Sequence, residues 1–241
     1  MTNAAEQGGL STGERAALDA GFPGDTIAGV CMIVGPIVMV ITALLGIGIY
    51  HAAGIDYVRG MAAHPTRAAV VFDCFVAGWM FYTVALIGLA GQITAARPWL
   101  GRAAGIVTIV GLFGPVFFNG VYFGGFQLTD PSQQAAAGYL IDHAQIIPSN
   151  VINLSGPALV IGFIALAIGA AQAGVLGRWR AAALGLGCIM SAGFISGYIV
   201  ISAVAFLGTA IALVPLGVSL LRPHPTAEGR FASANRHVPQ A

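Results

Sequence analysis

The stretch that decides the fold is Arg67–Arg97, RAAVVFDCFVAGWMFYTVALIGLAGQITAAR, an apolar run of membrane length with an arginine at each end. A bilayer's hydrocarbon core needs about 20 apolar residues of α-helix to cross it, and this run supplies more. It contains one charged side chain, Asp73, and no other apolar run of the chain contains any. A carboxylate inside a membrane span marks a candidate site, since burying it is costly without a partner or water.

Four further runs flank this one. Ile27–Tyr50 precedes it, and Ala103–Phe123, Pro148–Ala173 and Ala181–Leu221 follow. The last is about twice the length of one crossing and divides near Gly197 and Tyr198, giving six spans. The first is too long for the apolar core of a cleaved signal peptide, about 7–15 residues. The expected fold is an all-α bundle of six transmembrane helices over residues 26–222, between an N-terminal arm (1–25) and a tail (223–241) rich in Pro, Ala and charge that is expected to be disordered.

Composition agrees. Of the 241 residues 57% are hydrophobic and only 8% charged, against about 25% charged in a soluble domain, and the mean hydropathy is +0.86. The formal charge of +1 offers no concentrated basic face for nucleic acid. Every basic residue is arginine, as in chains from high-GC bacterial genomes. Cys31, Cys74 and Cys188 stand singly in apolar runs, which reads as small buried residues rather than a redox pair or zinc site.

Eight of the ten arginines fall on the side that carries both termini in a six-span chain, leaving Arg59 and Arg67 on the other. The positive-inside rule therefore predicts cytoplasmic N and C termini in a bacterial plasma membrane. The longer connections, 51–66 and 124–147, fall outside. In the second, Asp130-Pro131-Ser132-Gln133 has the order of a helix start, predicting a short surface helix that reaches about His143.

Several constellations bear on chemistry. Asn119, Asn150 and Asn153 lie on neighbouring spans near the depth of Asp73, and with it form the candidate ligand or proton site. Pro36, Pro115, Pro157 and Pro215 each remove a helical hydrogen bond, so they are expected to mark helix breaks. Superimposing Pro36 on Pro157 also aligns Leu45 with Leu166, Ile47 with Ile168 and Gly48 with Gly169. With three spans in each half this would be a 3+3 inverted repeat, the layout of many secondary transporters. Gly193 and Gly197 form a G-x-x-x-G expected at a helix contact. His51 and His143 are the candidates for a metal or a bis-histidine haem, but no H-E-x-x-H or similar spacing supports them. No metal, cofactor or enzymatic active site is therefore expected.

The G-P pairs of the first and fourth spans, GMAAHPTRAAVVFD at 60–73 and PLGVSLLRP at 215–223 together resemble the six-span integral membrane proteins of actinobacterial type. That resemblance implies a multi-pass membrane fold and carries no established activity. The expected function is a non-enzymatic accessory or scaffolding subunit of an envelope or respiratory membrane complex, with lipid and protein partners. The alternatives are a small carrier or binder for a lipophilic or small solute using the intramembrane carboxylate Asp73, and a haem or metal protein using the outer-side histidines.

Overall fold

The computed structural model describes residues 24–51, 54–128, 130–143, 150–190 and 199–222. The N-terminal arm, the tail after Arg222, and both Gly193 and Gly197 lie outside the described residues. The described chain is all helical: α1 (Asp25–Leu45), α2 (Gly54–Ala63), α3 (Pro65–Ala96), α4 (Pro98–Gln127), α5 (Gln134–His143), α6 (Asn150–Gln172), α7 (Arg178–Gly185) continued by a 3-10 turn (Leu186–Ile189), and α8 (Ile199–Leu221). Five of these, α1, α3, α4, α6 and α8, are long and apolar enough to cross a membrane. The division of the last apolar run near Gly197 and Tyr198 falls outside the described residues, so its first half is seen only as α7 and the 3-10 turn.

Local chemistry sets the boundaries. Pro98 opens α4 and forces Arg97 out of the helical region (φ −138°, ψ 77°), so one residue separates α3 from α4. Gly174, at φ +71°, ends α6. Val175 N–H donates to the Ala170 carbonyl at 3.0 Å and Gly174 N–H to that of Ala171 at 3.2 Å, the two bonds of a Schellman motif. The four prolines lie inside helices, in α1, α4, α6 and α8.

Small residues fix how the helices meet. A Cβ on Gly35 of α1 would lie 2.8 Å from the Tyr82 backbone nitrogen of α3, and one on Gly78 would lie 2.6 Å from the Met39 sulfur, so α1 and α3 run antiparallel in close contact. Gly111 of α4 abuts Leu159 of α6, and Gly162 abuts Thr108 in the same antiparallel sense. In the last hairpin the Ser202 hydroxyl donates to the Met190 carbonyl at 3.1 Å while Gly208 meets the Ala183 carbonyl. The segment 178–190 therefore runs antiparallel to α8. Gly29 packs on Gly217 and Leu221, which brings the start of α1 beside the end of α8.

The helices close a ring in the order α1, α3, α4, α6, α7, α8 and back to α1. Its centre is filled by the fully buried Tyr82, Phe163 and Phe206, with Tyr82 6.2 Å from each of the other two rings. The two G-P pairs that an inverted repeat would superimpose differ in surroundings. Gly35 sits at the closest approach of two helices, whereas a Cβ on Gly156 would meet nothing within 4 Å, and Pro36 is buried while Pro157 is exposed.

One face of the ring is basic. It gathers the start of α1, the α3–α4 turn with Arg97 and Arg102, the α6–α7 turn with Arg178 and Arg180, and the end of α8 with Arg222; Gln92 ties α3 to Asp25 there at 3.0 Å. The opposite face carries a cap. At 1.5 Å per residue, α1 spans about 31 Å and matches the hydrocarbon, whereas α3, with its 32 residues, runs to about 48 Å. The projecting ends of α3 and α4 are covered by α2 and α5, around a second core that includes Tyr57, Val58, Met61, Val71 and Ile141. The Asp130 carboxylate accepts the Ser132 N–H at 2.9 Å in a turn ahead of α5, which begins at Gln134 rather than at the Pro131 that the Asp-Pro-Ser-Gln order predicts. Asp142 of α5 in turn accepts the Gly54 N–H at 2.7 Å and so caps α2.

Candidate functional site

A groove of about 650 Å³ runs along the flank between α3 and α4. From α3 it takes Asp73, Val76, Met80 and Thr83, one stripe at helical spacing, with Phe72 beside them; from α4 it takes Val116 and Gly120. Phe75 and Trp79, both buried and 5.6 Å apart, form its floor. A Cβ on Gly120 would meet nothing within 4 Å, so the missing side chain is what leaves this part of the groove open.

Asp73 is the only charged residue in the lining, and it is exposed. Among the described residues it makes no hydrogen bond or ion pair. The register that pairs Gly35 with Tyr82 and Gly78 with Met39 sets Asp73 level with Leu44, in the last turn of α1. The carboxylate thus lies level with the end of α1, and the apolar groove extends from it for about 15 Å along α3 to Thr83. On the floor, the buried indole N–H of Trp79 has no hydrogen-bond partner among the described residues.

Arg67, the nearest cation in sequence, is not turned to Asp73. Its Nε donates to the Leu45 carbonyl at 2.7 Å, and its Nη2 donates to that of Ile47. A guanidinium at a helix C-terminus satisfies carbonyls that have lost their helical donors and complements the negative end of the dipole. Sequence reasoning missed this role, because the partner lies 22 residues away and is a backbone atom with no side-chain signature.

Asn119 lies in α4 one residue before the groove-lining Gly120. By the α4–α6 register, the backbone of Asn150 falls at the same level and that of Asn153 about one turn deeper. The side chains of Asn119, Asn150 and Asn153 lie outside the described residues. His51 follows α1, with Nε2 3.3 Å from the Gly48 carbonyl. His143 ends α5, stacked on Tyr139 at 3.8 Å between ring centroids. Among the described residues no group of three His, Cys, Asp or Glu could hold a metal ion. Cys31 is buried, Cys74 and Cys188 are half-buried, and all three are free thiols.

The arrangement can hold an amphiphile: an apolar body against Val76, Met80 and Val116, and a polar end at a carboxylate that selects a cation or a hydrogen-bond donor. No protein-family model, curated protein or solved structure matches this chain.

Proposed function

We propose that this chain is a non-enzymatic six-span protein of a bacterial plasma membrane that binds a lipophilic molecule with an amine or other hydrogen-donating head in the α3–α4 groove. One observation carries the reading: the only charged side chain of the apolar spans stands exposed, and unpaired among the described residues, at one end of an otherwise apolar groove. Six crossings are supported by the start of α1 lying beside the end of α8, which an even number of passes requires. Cytoplasmic termini are supported by the arginines gathered on that face. The aromatic plug around Tyr82 favours a binder over a carrier with a path through the bundle.

The test is the binding of a dansyl-labelled long-chain alkylamine to the purified protein in detergent. The wild type is expected to bind it in preference to the matching alkyl sulfate. Asp73→Asn removes the charge and should weaken binding by about ten-fold or more; Gly120→Phe should block it by filling open space. Undiminished binding by both variants would sink this reading.

A second reading, an accessory subunit of a membrane complex, draws support from the cap, where α5 exposes Tyr139 (65%) and Leu140 (47%) beyond the bilayer-length part of the bundle. Native mass spectrometry after gentle extraction from the host membrane separates the two. A stoichiometric partner lost in Tyr139→Ala favours the subunit, and a retained small molecule lost in Asp73→Asn favours the binder.

A further inference from the structure

A second groove, of about 290 Å³, lies on a different flank, between α6 and α7, at the basic face. Its floor is made of small residues, Ala167, Ala181 and Gly185, and its rail consists of Ile164 and Ile168, which are 43% and 49% exposed. Arg178 lies at its outer end. The two helices run antiparallel here, with Gly187 against Phe163 and Gly185 nearest Ala167, so the groove descends from Arg178 to Gly185 over about 10 Å. It is a trough about two helical turns deep, apolar along its length and cationic at its mouth.

Among the described residues the charges at this end are not matched. Among the described residues the basic face carries Arg97, Arg102, Arg178, Arg180 and Arg222 against one carboxylate, Asp25, which accepts a hydrogen bond from Gln92. The one ion pair among the described residues, Arg59 with Asp56 at 3.5 Å, is on the opposite face. Trp179 is 72% exposed and Trp99 83% exposed, and both belong to the turns of the basic face. Exposed tryptophans of this kind sit at the level of lipid head groups, which puts the guanidinium of Arg178 at phosphate height.

We infer that the α6–α7 groove binds one anionic phospholipid, with its acyl chain along the alanine floor and its phosphate on Arg178. The occupant follows from chemistry at both ends. A trough facing the bilayer and floored by methyl groups is filled by an acyl chain, whereas a guanidinium forks two N–H donors onto phosphate oxygens. Net positive charge around the mouth favours a head group with no compensating cation.

The experiment uses the full chain with Trp79→Phe and Trp99→Phe, which leaves Trp179 as the one tryptophan, reconstituted in phosphatidylcholine bilayers, with its fluorescence quenched by added brominated phosphatidylglycerol or brominated phosphatidylcholine. Brominated phosphatidylglycerol is expected to reach half-quenching at a ~5-fold lower mole fraction, and this preference should shrink at 1 M salt, where the screening length is about 3 Å. Arg178→Gln should remove most of the preference. Ala182→Phe, at an exposed position in the groove, should reduce quenching by the anionic lipid while every arginine is kept. Equal quenching by the two lipids at low salt would overturn the inference. So would a preference that survives Arg178→Gln and disappears in Arg180→Gln, since the head group would then lie off the groove.

Discussion

The guanidinium of Arg67 closes the carboxyl end of α1 by donating to the carbonyls of Leu45, at 2.7 Å, and Ile47. This one side chain joins the first two membrane-length helices at the edge of the hydrocarbon. It also leaves Asp73 without its nearest cation.

Arg67→Met should therefore destabilise the protein by about 2 kcal/mol, the scale of a hydrogen bond to a charged group. Arg67→Lys should recover part of that, because an ammonium keeps the charge but loses the planar fork. Thermal unfolding in detergent measures both. Equal stability of Arg67→Met and the wild type would show that water caps α1 equally well.

Gly35→Ala should cost about 1–3 kcal/mol, because its methyl group would lie 2.8 Å from the Tyr82 nitrogen and α1 would have to move off α3. Gly91→Ala, in the same bundle but with nothing within 4 Å, should be neutral or gain up to about 1 kcal/mol from helix propensity. The contrast, read from paired unfolding curves, is the informative quantity. Similar effects at the two sites would mean that close approach does not set the α1–α3 distance.

Tyr82→Phe removes a hydroxyl that is fully buried and lacks a hydrogen-bond partner among the described residues. Thr209 lies beside it and donates its own proton to the Phe206 carbonyl at 2.9 Å, so toward Tyr82 its oxygen can only accept. The variant should be as stable as the wild type or more so, by up to about 1 kcal/mol, because an unsatisfied polar group is removed. A loss above about 1 kcal/mol would instead reveal a Tyr82–Thr209 bond.

Asp130 lies outside the membrane-length helices. The hydroxyl of Ser132, at 2.5 Å, and its N–H, at 2.9 Å, hold the Asp130 carboxyl below its ordinary range. A lowered carboxyl pKa means that the ordering of the turn before α5 is complete above about pH 4, and is lost as pH falls through the lowered value. Amide exchange at Ser132 should accelerate in that acid window and not between pH 5 and 8. Asp130→Ala should show fast exchange at every pH.

The sequence by itself determined the class of this protein and the position of most of its helices. Apolar runs of membrane length interrupted by arginine, proline and tryptophan have one stable solution in lipid, the helix, because no water is present to satisfy a bare backbone. The Pro65 start and the isolated Asp73 could be read from residue type alone, whereas α4 begins at Pro98, ahead of the apolar run that starts at Ala103. Only the tertiary structure decided which glycines carry the helix contacts, because a run this rich in small residues offers many equivalent faces, and Gly35, Gly78, Gly111 and Gly162 are selected by what lies opposite them. The groove at Asp73 and the use of Arg67 on α1 also needed the folded chain, since each depends on residues brought together across helices by packing.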